Sequence, residues 1–194
     1  MFNDLATPAS LLATRRSGKA RDLAAPGPDA AQLDRILAAA TRVPDHGKLA
    51  PWRFVIVPLE KRADFAALLH DAYAAQKDSV GRIEREAIDQ FAHQAPCLIV
   101  AVSNPAHASH IPIWEQELSV GAACQNLVLA AHAEGFLVNW LSTWAAFSSI
   151  VCAAFGGGRD ARIAGFFFIG TSAKELEERP RPDRDAVIAI WQGR

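Results

Sequence analysis

Residues 113–142 read IWEQELSVGAACQNLVLAAHAEGFLVNWLS. Between Leu118 and Ala131 the stretch is apolar on nearly every face, and a helix apolar all round is a buried one. The pattern predicts a helix over 113–134, running through the middle of the molecule or along a subunit interface. Gly135 supplies its C-cap, and Phe136–Leu141 follows at once as a strand. Helix, short turn and strand in direct succession form a layered unit, because the helix has to lie back on the sheet that the strand joins.

Outward from this unit the same alternation continues. Downstream, RIAGFFFI at 162–169 is too continuously apolar for an edge strand, and Val187–Trp191 reads as a last strand. Upstream, CLIVAVS at 97–103 reads as a buried strand and WRFVIV at 52–57 as a short one. Helices are expected from Pro8, behind Thr7 as N-cap, to about Arg15, and from Asp29, where Gln32 completes a capping box. In the second of these, Leu33, Ile36, Leu37 and Ala40 share one face, and Pro44 closes the segment. Two more helices are expected over 59–77 and 80–93, and a loop over 18–28 around Pro26-Gly27-Pro28. No repeat or low-complexity linker interrupts the chain, so residues 1–194 read as a single α/β sandwich domain.

Composition narrows the function classes. The 194 residues carry a net charge of −1, which argues against a dedicated nucleic-acid binder. Hydrophobic residues make up 51%, but 38 are alanines, so the chain is less greasy than that figure implies. Cys97, Cys124 and Cys152 are widely spaced with no C-x-x-C, and read as buried reduced thiols. Near the N-terminus the Arg pair follows the apolar stretch, the reverse of a signal peptide. Residues 135–158 lack charged side chains, but Asn139, Ser142, Thr143, Ser148, Ser149 and Gly156–Gly158 break them into two elements rather than a membrane span. The expected location is cytoplasmic.

Standard hydrolytic and metal signatures are absent: no Walker loop, G-x-G-x-x-G, H-E-x-x-H or G-x-S-x-G. His107 and His110 sit in a loop without a carboxylate beside them in sequence, and no metal site is expected. Glu115 and Glu117 suit the positive end of a helix. Three polar features remain. Arg15-Arg16-Ser17, followed by Gly18 and Lys19, can bind a phosphate through charge-assisted hydrogen bonds, or merely complement a helix C-terminus. Pro44-Asp45-His46-Gly47-Lys48-Leu49-Ala50-Pro51-Trp52 can present His46 to a ligand, or simply connect a helix to a strand. Arg179-Pro180-Arg181-Pro182-Asp183 suits an anion clamp or a solvated tail.

In their order along the chain these features resemble the nitroreductase family of flavoproteins, in particular a short branch of it. The resemblance rests on TRRS at 14–17, VPDHGKLAPWRF at 43–54, WEQELSVGAACQN at 114–126, EGFLVNWLS at 134–142, GFFFIGT at 165–171 and RPRPD at 179–183. It implies a three-layer sandwich with a central mixed sheet flanked by helices, in an intertwined homodimer that holds two FMN molecules between its subunits. It places Arg15, Arg16 and Ser17 at the FMN phosphate and ribityl chain, with Arg179 and Arg181 helping. His46 would reach the partner subunit's flavin, and the backbone of Trp140, Leu141 and Ser142 would lie against the isoalloxazine near N5. NADH or NADPH would deliver hydride and leave, and a nitroaromatic, quinone or similar conjugated acceptor would follow in ping-pong fashion. The flavin carries the redox chemistry, so no catalytic side chain is required. Two positions depart from the pattern: Ala50 stands where relatives commonly have Gln, and Leu141 where close relatives often have Arg. A flavin sensor or flavin-handling protein without turnover is the alternative.

Overall fold

Eleven residues, RIAGFFFIGTS, form the strand around which the molecule is built. The computed structural model describes residues 2–77 and 79–193. Its helices are α1 (Pro8–Thr14), α2 (Ala30–Ala40), α3 (Arg62–Ala74), α4 (Arg82–His93), α5 (Ile113–Ala133), α6 (Ser149–Ala154) and α7 (Arg184–Val187). Its strands are β1 (Leu23–Ala24), β2 (Trp52–Val57), β3 (Cys97–Ser103), β4 (Leu137–Leu141) and β5 (Arg162–Ser172). Capping boxes start α1 at Thr7 and α2 at Asp29, each closed by the residue three positions on.

β5 pairs with β3 over residues 162–169, with β4 over 166–170 and with β1 at 171–172, while β2 lies outside β3. Every one of these pairings is antiparallel, so among the described residues the sheet is antiparallel rather than mixed. Side chains alternate across it with period two. Leu98, Val100, Val102, Phe166 and Phe168 pack on one face against Phe65, Leu69 and Ala72 of α3 and Ile88 and Ala92 of α4. Ile99, Ala101, Phe167 and Ile169 pack on the other, against Ile36 and Ala40 of α2 and Val120, Cys124, Leu127 and Ala131 of α5. Both faces are covered, which is why the β3 and β5 sequences are apolar without a break. The expected three-layer architecture is present.

Two sequence expectations change. The 18–28 loop holds a turn of 3-10 helix at Ala20–Asp22 and the two residues of β1, drawn into order by the far end of β5. Val187–Trp191 is not a strand in its own protomer. It begins as the last residue of α7 and continues as irregular chain, with Ile190 82% and Trp191 84% exposed. A run of strand-forming residues needs a ladder to join, and its own sheet offers it none.

Candidate functional site

Chain direction at the end of α1 separates the two neighbouring arginines. Arg16 turns inward to 3% exposure, where its Nε donates to Glu177 O at 2.9 Å and meets Glu178 Oε1 at 3.1 Å. This contact draws the Arg179–Asp183 segment back against the turn. Arg15 turns the other way and donates from Nη1 to Ser17 Oγ at 3.0 Å. Its guanidinium is held below the usual arginine range by burial, then by the positive charges of Arg181 and Arg16. Among the described residues Arg15 has no carboxylate within 4.0 Å. Three guanidinium groups therefore crowd together with incomplete compensation, an arrangement that a bound anion relieves. Among the described residues neither arginine side chain hydrogen-bonds the last carbonyls of α1.

The turn is fixed from beneath by buried polar side chains. Arg16 N donates to Asn3 Oδ1 at 2.7 Å, and Arg16 O lies 3.1 Å from His132 Nε2. Gly18 O accepts from Asn139 Nδ2 of β4, and the Oδ1 of that buried carboxamide has no partner among the described residues. Beside the turn opens a cleft of about 390 Å³, walled by Lys19, Arg21, Gln90, Phe91, Asn139, Leu141 and Arg179 among others. Leu141 and Arg179, both expected from the sequence, thus share one cleft, and Arg179 with Lys19 also lines a smaller neighbouring pocket of about 80 Å³ together with Arg16 and Ser17. Lys19 was visible beside the turn, but nothing in the sequence assigned it, Arg21, Gln90 or Asn139 to a site.

Alternation along β4 puts Asn139 and Leu141 on the α3/α4 face and the Trp140 indole on the other. Trp140 Nε1 donates to Ala164 O at 2.9 Å, and the ring sits 5.1 Å from that of Phe167. Gly165 is required beneath it: an added Cβ would come within 2.0 Å of Trp140 Nε1. The indole is thus committed to the sheet, and only the Trp140 backbone continues toward Leu141 and the exposed Ser142. We expect Gly165→Ala to displace the indole and cost about 1–3 kcal/mol of overpacking strain, read by urea denaturation.

His46 lies elsewhere in the protomer. It opens a 3-10 turn in which Gly47, Lys48 and Ala50 all have positive φ, held closed by Ala50 N donating to Asp45 Oδ2 at 2.8 Å. Left-handed backbone at two non-glycine residues is costly and persists where the surroundings over-determine it. His46 Nδ1 meets Glu115 Oε2 at 2.8 Å, so Glu115 serves both the α5 N-terminus and this histidine. His132, which touches the arginine turn, stands near the other end of the same helix. Seventeen residues at 1.5 Å each separate the two contacts by roughly 25 Å along α5. Within the chain, His46 and the arginine cluster are not brought together.

Other chemistries find no support. The described residues contain no cluster of three or more His, Cys, Asp or Glu side chains fit for a metal. Burial pushes the Cys97 thiol up to about 11 and the Cys124 thiol up to about 12, far from nucleophilic range at neutral pH. No helix among the described residues is long and apolar enough to cross a membrane.

The fold thus defines a three-layer α/β protein with a cleft lined in part by Lys19, Arg21 and Arg179. The sequence profile of the nitroreductase family matches residues 12–171. A Haemophilus influenzae protein named "Putative NAD(P)H nitroreductase" is 38% identical over 174 residues, covering 89% of this chain and 92% of its own. A nitroreductase-like family protein from Bacillus cereus superposes with a TM-score of 0.79 at 22% identity, covering 100% of this chain and 98% of that one. An FMN and NADPH-dependent nitroreductase, NfnB, from Sphigopyxis sp. strain HMH, gives 0.72 at 22% identity over 96% and 99% of the two chains. The chain belongs to the nitroreductase family, and is an oxidoreductase.

Proposed function

We propose that the protein is an FMN-dependent NAD(P)H oxidoreductase acting on a nitroaromatic, quinone or similar conjugated acceptor. The observation that carries this reading is the guanidinium cluster of Arg15, Arg16 and Arg181, in which Arg16 and Arg181 share Glu178 and Arg15 has no carboxylate partner among the described residues, near a cleft walled by Leu141, Phe91 and Arg179. The donor set fits the cofactor: Arg15, Ser17 and Arg179 offer charged and hydroxyl donors for a phosphate and ribityl chain, and the apolar wall suits a flat ring. When bound, the flavin would supply the redox chemistry between NADH or NADPH and the acceptor. The protein's part is to bind, orient and shield. Arg15 and Arg181 neutralise phosphate charge, Leu141 keeps water from the ring, and the backbone of Trp140 to Ser142 sets the ring edge. Leu141 in place of a guanidinium makes that environment less positive, and Ala50 removes an amide contact, so substrate choice is expected to differ from relatives that keep both. Nicotinamide and acceptor would use the cleft in turn, giving ping-pong kinetics. The free cysteines fit a cytoplasmic setting.

The test is direct. Purified protein should be yellow, release FMN on extraction, and bleach rapidly when mixed anaerobically with NADPH or NADH. A yellow protein that does not bleach with either would make it a flavin-binding module instead, and a colourless one that takes up no FMN would end the proposal.

A homodimer completes this reading. Trp114 and Leu118 of α5, and Ile188, Ile190 and Trp191 of the tail, leave large apolar surface exposed on the isolated protomer. An intertwined dimer would cover them, burying more than ~2,000 Å² in total. Light scattering should give twice the chain mass, and a stable FMN-bound monomer would contradict it. The distance of His46 from its own arginine cluster suits a contribution to the partner's flavin. His46→Ala should then weaken FMN binding or shift its redox behaviour while the apo-dimer melts nearly as before. If instead apo stability falls by ~0.5–2 kcal/mol and FMN affinity holds, His46 only closes its own turn.

A further inference from the structure

Buried side chains seldom face two acceptors of one kind with a ring that carries a single proton. His132, 1% exposed near the C-terminal end of α5, does so. Its Nδ1 lies 2.7 Å from Val128 O, one turn back on its own helix, and its Nε2 lies 3.1 Å from Arg16 O in the arginine turn. A neutral imidazole has one N–H, so it satisfies one of these carbonyls and turns a lone pair toward the other; only the imidazolium donates to both. The second contact spans 116 residues and ends on the backbone of the turn itself.

We propose that His132 is a positioning residue for the anion-binding turn: by gripping the Arg16 carbonyl it holds residues 15–17 in the conformation that receives the flavin phosphate. The inference rests on the FMN reading above. Three observations support it. First, Arg16 O and Gly18 O are both held from beneath, by His132 with Asn3 and by Asn139, while Ser17 between them lines a small pocket that also takes in Lys19 and Arg179. Second, Asn139 has a buried acceptor without a partner, so its retention under the turn is not explained by its own satisfaction. Third, burying a polar ring is costly, and the two carbonyl contacts are what His132 makes of that cost at 1% exposure.

The charges around His132 give the grip a pH signature. Desolvation opposes protonation of the ring most strongly, the bonds to Val128 O and Arg16 O favour it, and Arg15 on the turn adds a smaller opposing charge, so on balance its pKa lies below the usual histidine value. Along α5, Glu134 is engaged by Arg35 of α2, and α1 presents no charged residue within Pro8–Thr14. A phosphate bound at Arg15 offsets that repulsion and favours the imidazolium. Proton uptake and phosphate binding therefore assist each other, and the contribution of His132 to affinity grows as pH falls through 6.5 and below.

The experiment compares FMN and riboflavin titrations of wild type, His132→Leu and His132→Gln between pH 5.5 and 8.5. Riboflavin lacks the phosphate and reports the ring site alone. His132→Leu should weaken FMN binding about tenfold and leave riboflavin within about twofold of wild type. His132→Gln retains one donor without a proton equilibrium. It should bind FMN within about threefold of wild type at pH 8, and the gap should widen toward pH 5.5. Dividing variant by wild-type constants removes the titration of the phosphate itself. If His132→Leu does not fold, the widening gap for His132→Gln decides alone. Equal losses for FMN and riboflavin, or a constant ratio across pH, would reduce His132 to a packing residue and overturn the proposal. Failure of wild type to bind FMN more tightly than riboflavin would instead overturn the phosphate assignment, and this inference with it.

Discussion

Arg15→Ala should yield a folded protein that purifies largely colourless. Arg15 holds no core together: among the described residues its one side-chain bond is to Ser17 Oγ, and burial together with two neighbouring guanidinium groups already strains its charge. Removing it relieves repulsion in the apo-protein, so apo stability should hold or rise slightly. What is lost, on the proposed reading, is a charged donor for the phosphate. A charged hydrogen bond to phosphate is worth ~1.5–3 kcal/mol, or roughly 10- to 150-fold in affinity. Arg15→Lys keeps the charge but not the two-pronged geometry, and should recover only part of that loss. Fluorescence titration with FMN and a melting curve of the apo form separate the outcomes. Unchanged affinity in the alanine variant would remove Arg15 from the site.

Arg16 should behave in the opposite way. Its guanidinium is buried and spent on Glu177 O and Glu178 Oε1, so it ties the tail to the turn rather than facing a ligand. Arg16→Ala should therefore release residues 177–181 and weaken FMN binding through Arg179 and Arg181, with a loss of apo stability that Arg15→Ala does not show. The sequence presents these arginines as equivalent; backbone direction after α1 commits Arg16 to the tail and leaves Arg15 without a carboxylate partner among the described residues.

Strong local signals carried most of the fold. The α5 helix, the β3 and β5 strands and both capping boxes are visible in windows of ten to twenty residues, because each depends on periodicity or a cap within itself. Elements whose order depends on a distant partner were not legible. β1 is two residues long and exists only where β5 runs past β3. The 187–191 run has strand composition and no ladder within its protomer. The site divides in the same way. Arg15, Ser17, Leu141 and Arg179 come from motifs that keep their order along the chain. His132 and Asn139 are single polar residues inside apolar stretches, and they acquire meaning only when segments more than a hundred residues apart meet under the turn. His46 carries a motif signal, yet the protomer leaves it at the far end of α5.

Arg62 is the buried cation that nothing in the sequence marked, and its removal should cost the most stability of any polar substitution considered. It opens α3 and points inward, donating from Nε to Val57 O at 3.2 Å and from Nη1 to Ala92 O at 2.9 Å and Gln94 O at 3.3 Å. It thus closes the C-terminal end of α4, ties it to the end of β2, and anchors the helix that brings Gln90 and Phe91 to the cleft. Its position is not comfortable. Desolvation lowers its pKa, and Nη2 has no partner among the described residues. Arg62→Ala leaves three carbonyls short of a donor and a cavity where the guanidinium lay, a combined loss of ~3–5 kcal/mol. Arg62→Met fills most of that volume and removes the desolvated charge, but restores no donor, so about half the loss should remain. Urea denaturation of the apo-protein measures both. FMN affinity of the folded fraction should fall as well in the alanine variant, since the α4 wall is released, and recover in the methionine variant as packing returns. An alanine variant within about 1 kcal/mol of wild type would mean that water replaces the guanidinium at no cost, and that α4 is held by its aromatic contacts to β5 instead.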